Sequence, residues 1–292
     1  MEITSDIKAL VEIAIREDLG EIEGNTTDFI GDITTQSTIN PDDLIAASMV
    51  SREHGVIAGT DIANYVFNRI SPNMTVDMHL EDGAHVAPQD RILTVSGKAQ
   101  DILRSERIAL NFMTHLSGIA SETARYVQAV SHTKAQILDT RKTLPGWRLL
   151  QKQAVKMGGG KNHRMGLYDM VLIKDNHIAA AGSVTEALNR IKASGNVVKA
   201  INSQVKIEIE VDTLEQLQEV IEHGAAEIVL LDNMPPTDLK TAVEMCEGKL
   251  ITEASGSVNM ETVVNIAESG VDYISIGALT HSVKVFDIGL DM

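Results

Sequence analysis

Cysteine occurs once in the 292 residues, at Cys246, so no internal disulfide can form and a reducing, cytoplasmic setting is expected. By itself Cys246 reads as a small buried hydrophobe. Aromatic residues make up only 3% of the chain, which leaves the core to aliphatic side chains and Met. No stretch reaches the roughly 18 uncharged apolar residues that a membrane span requires. The opening MEITSDIKALVEIAIREDLG has neither the basic start nor the apolar block of a signal peptide. Its apolar positions recur instead at helical spacing. Basic residues are also in deficit, with 25 Lys and Arg against 41 Asp and Glu. The resulting net charge of -16 argues against nucleic acid as a partner, because backbone phosphates would be repelled. Metal-ligand spacing is missing too, since His79 and His85 are six apart and the sequence has no His/Cys cluster.

What remains is an ordinary globular composition, 43% hydrophobic with a mean hydropathy near zero, in a chain long enough for two moderate domains. To about residue 115 it mixes helices with short strands. Residues 5–18 and 61–70 have helical spacing, 46–59 alternates and breaks at glycines, and 74–97 reads as strands with turns at Asp82-Gly83 and Pro88-Gln89. A helix-rich stretch from about 101 to 130 is interrupted, on this reading, near Ser117-Gly118. Short apolar runs then follow at 137–140, 170–173, 206–211, 227–231, 250–253 and 273–276, most of them separated by helical segments. That alternation predicts parallel βαβ units. Nearly every run ends in a charged or small polar group, and side chains gathered at successive strand ends build a shared site in an α/β barrel. Six strands fall two short of a complete eight-stranded barrel.

The segment from Arg141 to Lys174 holds eight basic residues and one acid, Asp169, inside this acidic protein. Arg148, Lys152 and Lys156 are spaced by four and read best as a solvated helix face. Arg141, Lys142, His163, Arg164 and Lys174 follow strands or glycines, so they belong to loops aimed at one place. Concentrating cations there is costly unless a multiply charged anion binds. Gly158-Gly159-Gly160-Lys161 is not a P-loop, because Asn162 replaces the required Ser/Thr, nor a dinucleotide fingerprint, because residue 163 is His. Glu210 and Asp232 sit at or near strand ends, suited to ribose hydroxyls or Mg²⁺, while Glu208 is as readily structural as functional. Ser255-Gly256-Ser257 and Gly277 suit a backbone phosphate cradle.

DTRKTLPGWRLLQKQAVKMGGGKNHRMGLYDMVLIKDNHI (139–178) closely resembles the signature region of quinolinate phosphoribosyltransferases. So do residues 105–121, 207–217, 229–236, 253–259 and 274–282, and the resemblance covers essentially the whole chain. It implies an N-terminal α/β sandwich domain (1–115), an incomplete α/β barrel (116–277) and a C-terminal segment (278–292) packing back on the first domain. It also implies at least a homodimer, in which Arg107 is supplied from the neighbouring subunit. The expected reaction joins quinolinate and phosphoribosyl pyrophosphate, with Mg²⁺, into nicotinate mononucleotide, pyrophosphate and CO₂, a step of de novo NAD synthesis. By the resemblance Thr140, Arg141, His163, Arg164 and Lys174 hold the quinolinate, and Lys142 lies between the two substrates. Glu210 and Asp232 meet the ribose and Mg²⁺, and Ser255, Gly256 and Gly277 meet phosphate. Loss of CO₂ is expected to need no dedicated acid or base, because the alkylated ring nitrogen is itself an electron sink. Ser257 stands where many relatives place glycine, and the 21–30 loop looks longer than usual.

Overall fold

The computed structural model describes residues 2–22, 25–194 and 205–292, and two compact units result. Unit 1 comprises Met1–Ala124, Pro145–Gly159 and Ser282–Met292; unit 2 comprises Arg125–Leu144 and Gly160–His281.

Unit 1 opens with α1 (Ser5–Leu19), which starts where the Thr4 hydroxyl accepts the Ile7 N–H at 3.4 Å. Its buried residues Ile7, Val11, Ile15 and Leu19 recur every fourth position, one stripe of a helix. The antiparallel pair β1 (Glu21–Ile22) and β2 (Asn25–Phe29) and the short α2 (Ile33–Thr38) follow. The main sheet is built from β3 (Leu44–Ser51), β5 (Thr75–Met78), β7 (Arg91–Lys98) and β14 (Ile288–Asp291). These four strands are antiparallel in the order β14-β3-β7-β5. A second pair joins β4 (Gly55–Val56) to β6 (His85–Val86). Helix α3 (Thr60–Ile70) completes this part, and α4 (Ala99–Ala129) carries the chain onward.

Helix α4 corrects the expected break near Ser117-Gly118, for it runs unbroken for 31 residues. The two residues serve packing. Ser117 Oγ accepts the Ala58 N–H at 3.0 Å, and a Cβ on Gly118 would lie 2.2 Å from the Lys284 carbonyl oxygen. A small residue there lets another stretch of backbone approach. The expected boundary at 115/116 falls inside this helix. A second correction concerns α5 (Arg148–Met157), which lies in unit 1. Lys156 is exposed, but Lys152 is fully buried, so the row of cations is not a solvated face.

Unit 2 contains the six expected strands: β8 (Gln136–Leu138), β9 (Val171–Ile173), β10 (Ile207–Val211), β11 (Ile228–Asp232), β12 (Ile251–Ser255) and β13 (Tyr273–Ser275). All are parallel, in the order β8-β13-β12-β11-β10-β9. First and last strands are therefore neighbours, as barrel closure requires, and among the described residues the cyclic order is interrupted only between β8 and β9. Along the chain that interval holds Pro145–Gly159, which belongs to unit 1. Helices α6 (Asp175–Ala181), α7 (Val184–Ala193), α8 (Leu214–His223), α9 (Pro236–Cys246), α10 (Val263–Glu268) and α11 (Ala278–His281) follow the later strands.

Strand register decides which side chains meet inside this sheet. Leu172 pairs with Glu208, Glu208 with Ile228, Leu230 with both Glu210 and Glu253, and Asp232 with Ser255. Glu253 in turn pairs with Tyr273. Because side chains alternate between faces, these residues share one face along with Leu138 and Ser275. Val229 and Leu231, on the opposite face, are fully buried. The inner face is thus unusually acidic for a strand interior.

Candidate active site

One cavity of about 380 Å³ lies in unit 2, at the C-terminal ends of its strands. It is lined by Thr140, Arg141, Lys142, His163, Arg164, Leu172, Lys174, Glu210, Leu230, Asp232, Glu253, Ser255 and Ser275. Nine expected site residues are therefore brought together here, and parallel strands explain why: each delivers its terminal side chain to the same end.

Local hydrogen bonds fix the cationic side. Buried Asp139 accepts from Asn162 Nδ2 at 2.5 Å and from the His163 N–H at 2.9 Å, tying the 160–164 loop to the end of β8. The Thr140 hydroxyl accepts the Lys142 N–H at 3.0 Å, and Thr280 donates to the Lys142 carbonyl at 2.8 Å. Gly277 does not line the cavity. It sits against the Lys142 side chain, where a Cβ would approach Cδ to 2.8 Å. Arg164 donates through Nη1 to the Met170 carbonyl at 3.2 Å. Burial, then the neighbouring Arg141, push the Arg164 guanidinium below its ordinary value, against the opposing pull of Glu208 and Asp169. Arg141 Nε is buried without a hydrogen-bond partner. Two clustered guanidiniums, one with an unused donor, make a strong anion site.

The acidic side is held as firmly. Glu210 forms an ion pair with Lys174. Asp232 accepts a hydrogen bond from Asn233 Nδ2 at 2.6 Å. Asn233 has a left-handed backbone (φ 54°), as has Ser257 (φ 50°), and Gly256 lies between their turns at φ 96°. Gly256 and Ser257 face a neighbouring cavity of about 430 Å³ with Asn233, Thr262 and Asn265. Arg107 is in unit 1, exposed on α4, and forms no ion pair among the described residues.

Glu253 and Ser275 were not singled out as site residues from the sequence. Their signal was the parity of the strands, since an acid inside ITEAS must face the interior if Thr252 and Ala254 face the helices. Glu253 lies beside Glu208 and His163, with ligand-type atoms of all three within 4.8 Å of one another. His163 Nε2 is 3.1 Å from Glu208 Oε2 and 3.5 Å from Glu253 Oε1. The donor set would suit a metal ion, but His163 Nδ1 accepts the Arg164 N–H at 2.7 Å. Nε2 must then carry the ring proton, so it is not a free ligand. Burial, and then Glu208, push the Glu253 carboxyl up to about 8, with His163 and the Ser275 hydroxyl acting the other way.

Comparison with known proteins places this geometry. Residues 32–117 match the family described as quinolinate phosphoribosyl transferase, N-terminal domain, and residues 119–291 match its C-terminal domain. The chain is 45% identical to the nicotinate-nucleotide pyrophosphorylase [carboxylating] of Mycobacterium leprae, over 89% of this chain and 91% of that protein. It is 42% identical to the chloroplastic enzyme of that name from Arabidopsis thaliana, over 98% and 83% respectively. The crystal structure of nicotinate-nucleotide pyrophosphorylase from Ehrlichia chaffeensis superposes with a TM-score of 0.89 at 39% identity, covering 100% of this chain and 99% of that one. Sequence, strand order and the cation-lined cavity lead to the same place: the chain belongs to the quinolinate phosphoribosyltransferase family.

Proposed function

We propose that this chain transfers the phosphoribosyl group of phosphoribosyl pyrophosphate to the ring nitrogen of quinolinate, with loss of CO₂, giving nicotinate mononucleotide and pyrophosphate. The observation that carries the reading is the charge layout of one cavity. Arg141, Lys142, Arg164 and Lys174 converge on it together with the carboxylates Glu210 and Asp232. Its volume is in the range of small-molecule sites.

A pyridine dicarboxylate asks for planar, forked cations, which Arg141 and Arg164 supply with Lys174 and the Thr140 hydroxyl. His163 has both ring nitrogens turned to protein groups, so its part is the floor beneath the ring. Lys142, held by Thr140 and Thr280, lies between the two substrates. Ser255 and the backbone at Gly256 receive phosphate, and Gly277 leaves room for Lys142. The chain's principal task is to hold two anions in reacting geometry against their repulsion. As pyrophosphate departs, Lys142 offsets its growing charge while the ribose carbon becomes positive. The ring nitrogen bonds to that carbon and becomes cationic, and its charge stabilises the electron pair that stays on the adjacent ring carbon as CO₂ leaves.

Glu210 and Asp232 offer hard carboxylate oxygens at strand ends, a donor set that fits Mg²⁺ with phosphate and water as its other ligands. Bound there, the ion would neutralise charge on the departing pyrophosphate. The reading includes a homodimer with Arg107 contributed to the neighbour's site, supported by its exposure and lack of an ion pair among the described residues. It also includes a cytoplasmic setting, supported by the lone buried Cys246.

The test is an assay of the purified protein with phosphoribosyl pyrophosphate, Mg²⁺ and either quinolinate or nicotinate. Nicotinate mononucleotide and CO₂ from quinolinate alone are expected. Product from nicotinate alone would replace the reading with that of a nicotinate-specific transferase, and activity with neither would turn it toward a binding protein.

A further inference from the structure

Loss of CO₂ itself calls for no acid, but what it leaves behind does. The bond from ring carbon C2 to the carboxylate breaks heterolytically, CO₂ departs, and the electron pair stays on C2. That carbon must then take up a proton before the product is complete. The cations around the cavity cannot serve readily. Arginine does not give up a proton in proteins, Lys174 is engaged with Glu210, and Lys142 is committed in the proposed mechanism to the charge of the departing pyrophosphate.

The floor of the cavity holds a different kind of group. Glu208 on β10 and Glu253 on β12 are fully or almost fully buried, and their side chains meet over the intervening β11 on the sheet's inner face. Both oxygens of Glu208 and Oε1 of Glu253 lack a well-aligned hydrogen-bond donor. Buried and facing another carboxylate, the Glu253 carboxyl is held in its protonated form. His163 already carries its proton on Nε2 toward the pair, so the stored proton is additional to the histidine's.

The pair is also placed between two cavities. Glu253 lines the main cavity, and it lines a second one of about 170 Å³ whose other lining includes Lys206, Ile228 and Tyr273, at or just before the starts of β10, β11 and β13. The second is bordered by exposed Lys161 and Lys206, by Tyr273 and by Ile228. One carboxyl therefore faces the substrate side and a route to water. The charged or titratable groups around it are Glu208 from β10, His163, Arg164 and Lys161 from the 160–164 loop, Lys206 ahead of β10 and Tyr273 from β13.

We propose that Glu253 is the catalytic acid of this reaction, delivering its carboxyl proton to C2 after CO₂ leaves and being reprotonated by water through the lower cavity. The C2–H bond forms as the Glu253 O–H bond breaks, and the carboxylate so made recovers its proton from solvent. The inference rests on the reaction proposed above. It assigns a role to a buried acid that the cation site does not use.

The experiment compares the parent enzyme with Glu253→Gln, which keeps the shape of the side chain and removes the acid. The single-turnover rate of nicotinate mononucleotide formation is expected to fall at least 100-fold, with the KM for quinolinate within threefold of the parent. A rate within threefold of the parent would overturn the proposal, as would a loss confined to KM. In the parent itself the rate should decline as pH rises through about 8, where this carboxyl gives up its proton. A profile flat through that region would overturn the proposal without recourse to any variant. A parent that makes no product from quinolinate would sink the proposed function as well, whereas an active parent with an unaffected Glu253→Gln would sink this inference alone.

Discussion

The Asn233 side chain is wedged between two neighbours: its Nδ2 donates to Asp232 Oδ2 at 2.6 Å, and its Oδ1 occupies the space a Cβ on residue 256 would need. That Cβ would come within 2.1 Å of it. One amide thus orients the carboxylate at the end of β11 and shapes the turn after β12. Asn233→Ala removes a hydrogen bond to a charged acceptor, worth about 1.5–3 kcal/mol. It should lower kcat/KM on the order of tenfold or more while the fold, read by circular dichroism, is retained. Unchanged kinetics for phosphoribosyl pyrophosphate would show that Asp232 needs no such support.

Ser257 holds a left-handed backbone at φ 50°, where an L side chain is strained and glycine is not. Ser257→Gly should therefore stabilise the protein by up to about 1 kcal/mol. Chemical denaturation of the two forms measures the difference, and a destabilised variant would mean that the serine side chain contributes more than its backbone costs.

Lys142 sits between the substrate sites in the proposed mechanism, and its side chain packs against Gly277. Lys142→Ala should reduce turnover at least 100-fold, about 2.7 kcal/mol or more in the barrier. Activity within tenfold of the parent would remove the lysine from the chemistry.

Because the Glu253 carboxyl is raised to about 8, the folded protein holds that proton more tightly than the unfolded chain does. The stability so gained is fully present below the ordinary glutamate value and is lost as pH rises toward about 8. Glu253→Gln abolishes that loss. Thermal melts should show the variant gaining stability over the parent at about pH 9 but not at about pH 4, by a few kcal/mol at most. An equal offset at both pH values would mean that the carboxyl is not the titrating group.

Arg107→Ala should abolish quinolinate binding without unfolding the protein. If the site is shared between subunits, mixing Arg107→Ala with Lys142→Ala chains should restore activity through hybrid dimers. No recovery after exchange of subunits would count against the shared site.

Much of the architecture was written locally. Each of the six strands of unit 2 is a short apolar run closed by a polar residue, and that pattern needs no knowledge of neighbours. The cations of the 141–174 segment could be found the same way, by their excess. What escaped depends on partners distant in sequence. The continuity of α4 through Ser117-Gly118 follows from Ala58 and Lys284, which use those residues for contact. The burial of Lys152 contradicts its four-residue spacing, because a helix shows which residues share a face but not whether water lies against it. Glu253 was visible as an acid in a strand, yet its significance required the three-dimensional packing that brings its side chain beside Glu208 and His163.

The four-stranded sheet of unit 1 takes its edge strand, β14, from residues 288–291, while its partner β3 begins at residue 44. During synthesis the free edge of β3 must wait until nearly all of unit 2 has left the ribosome. For that interval it presents unpaired backbone groups to any other strand that arrives first. A nascent chain arrested before residue 288 should therefore be prone to wrong partners.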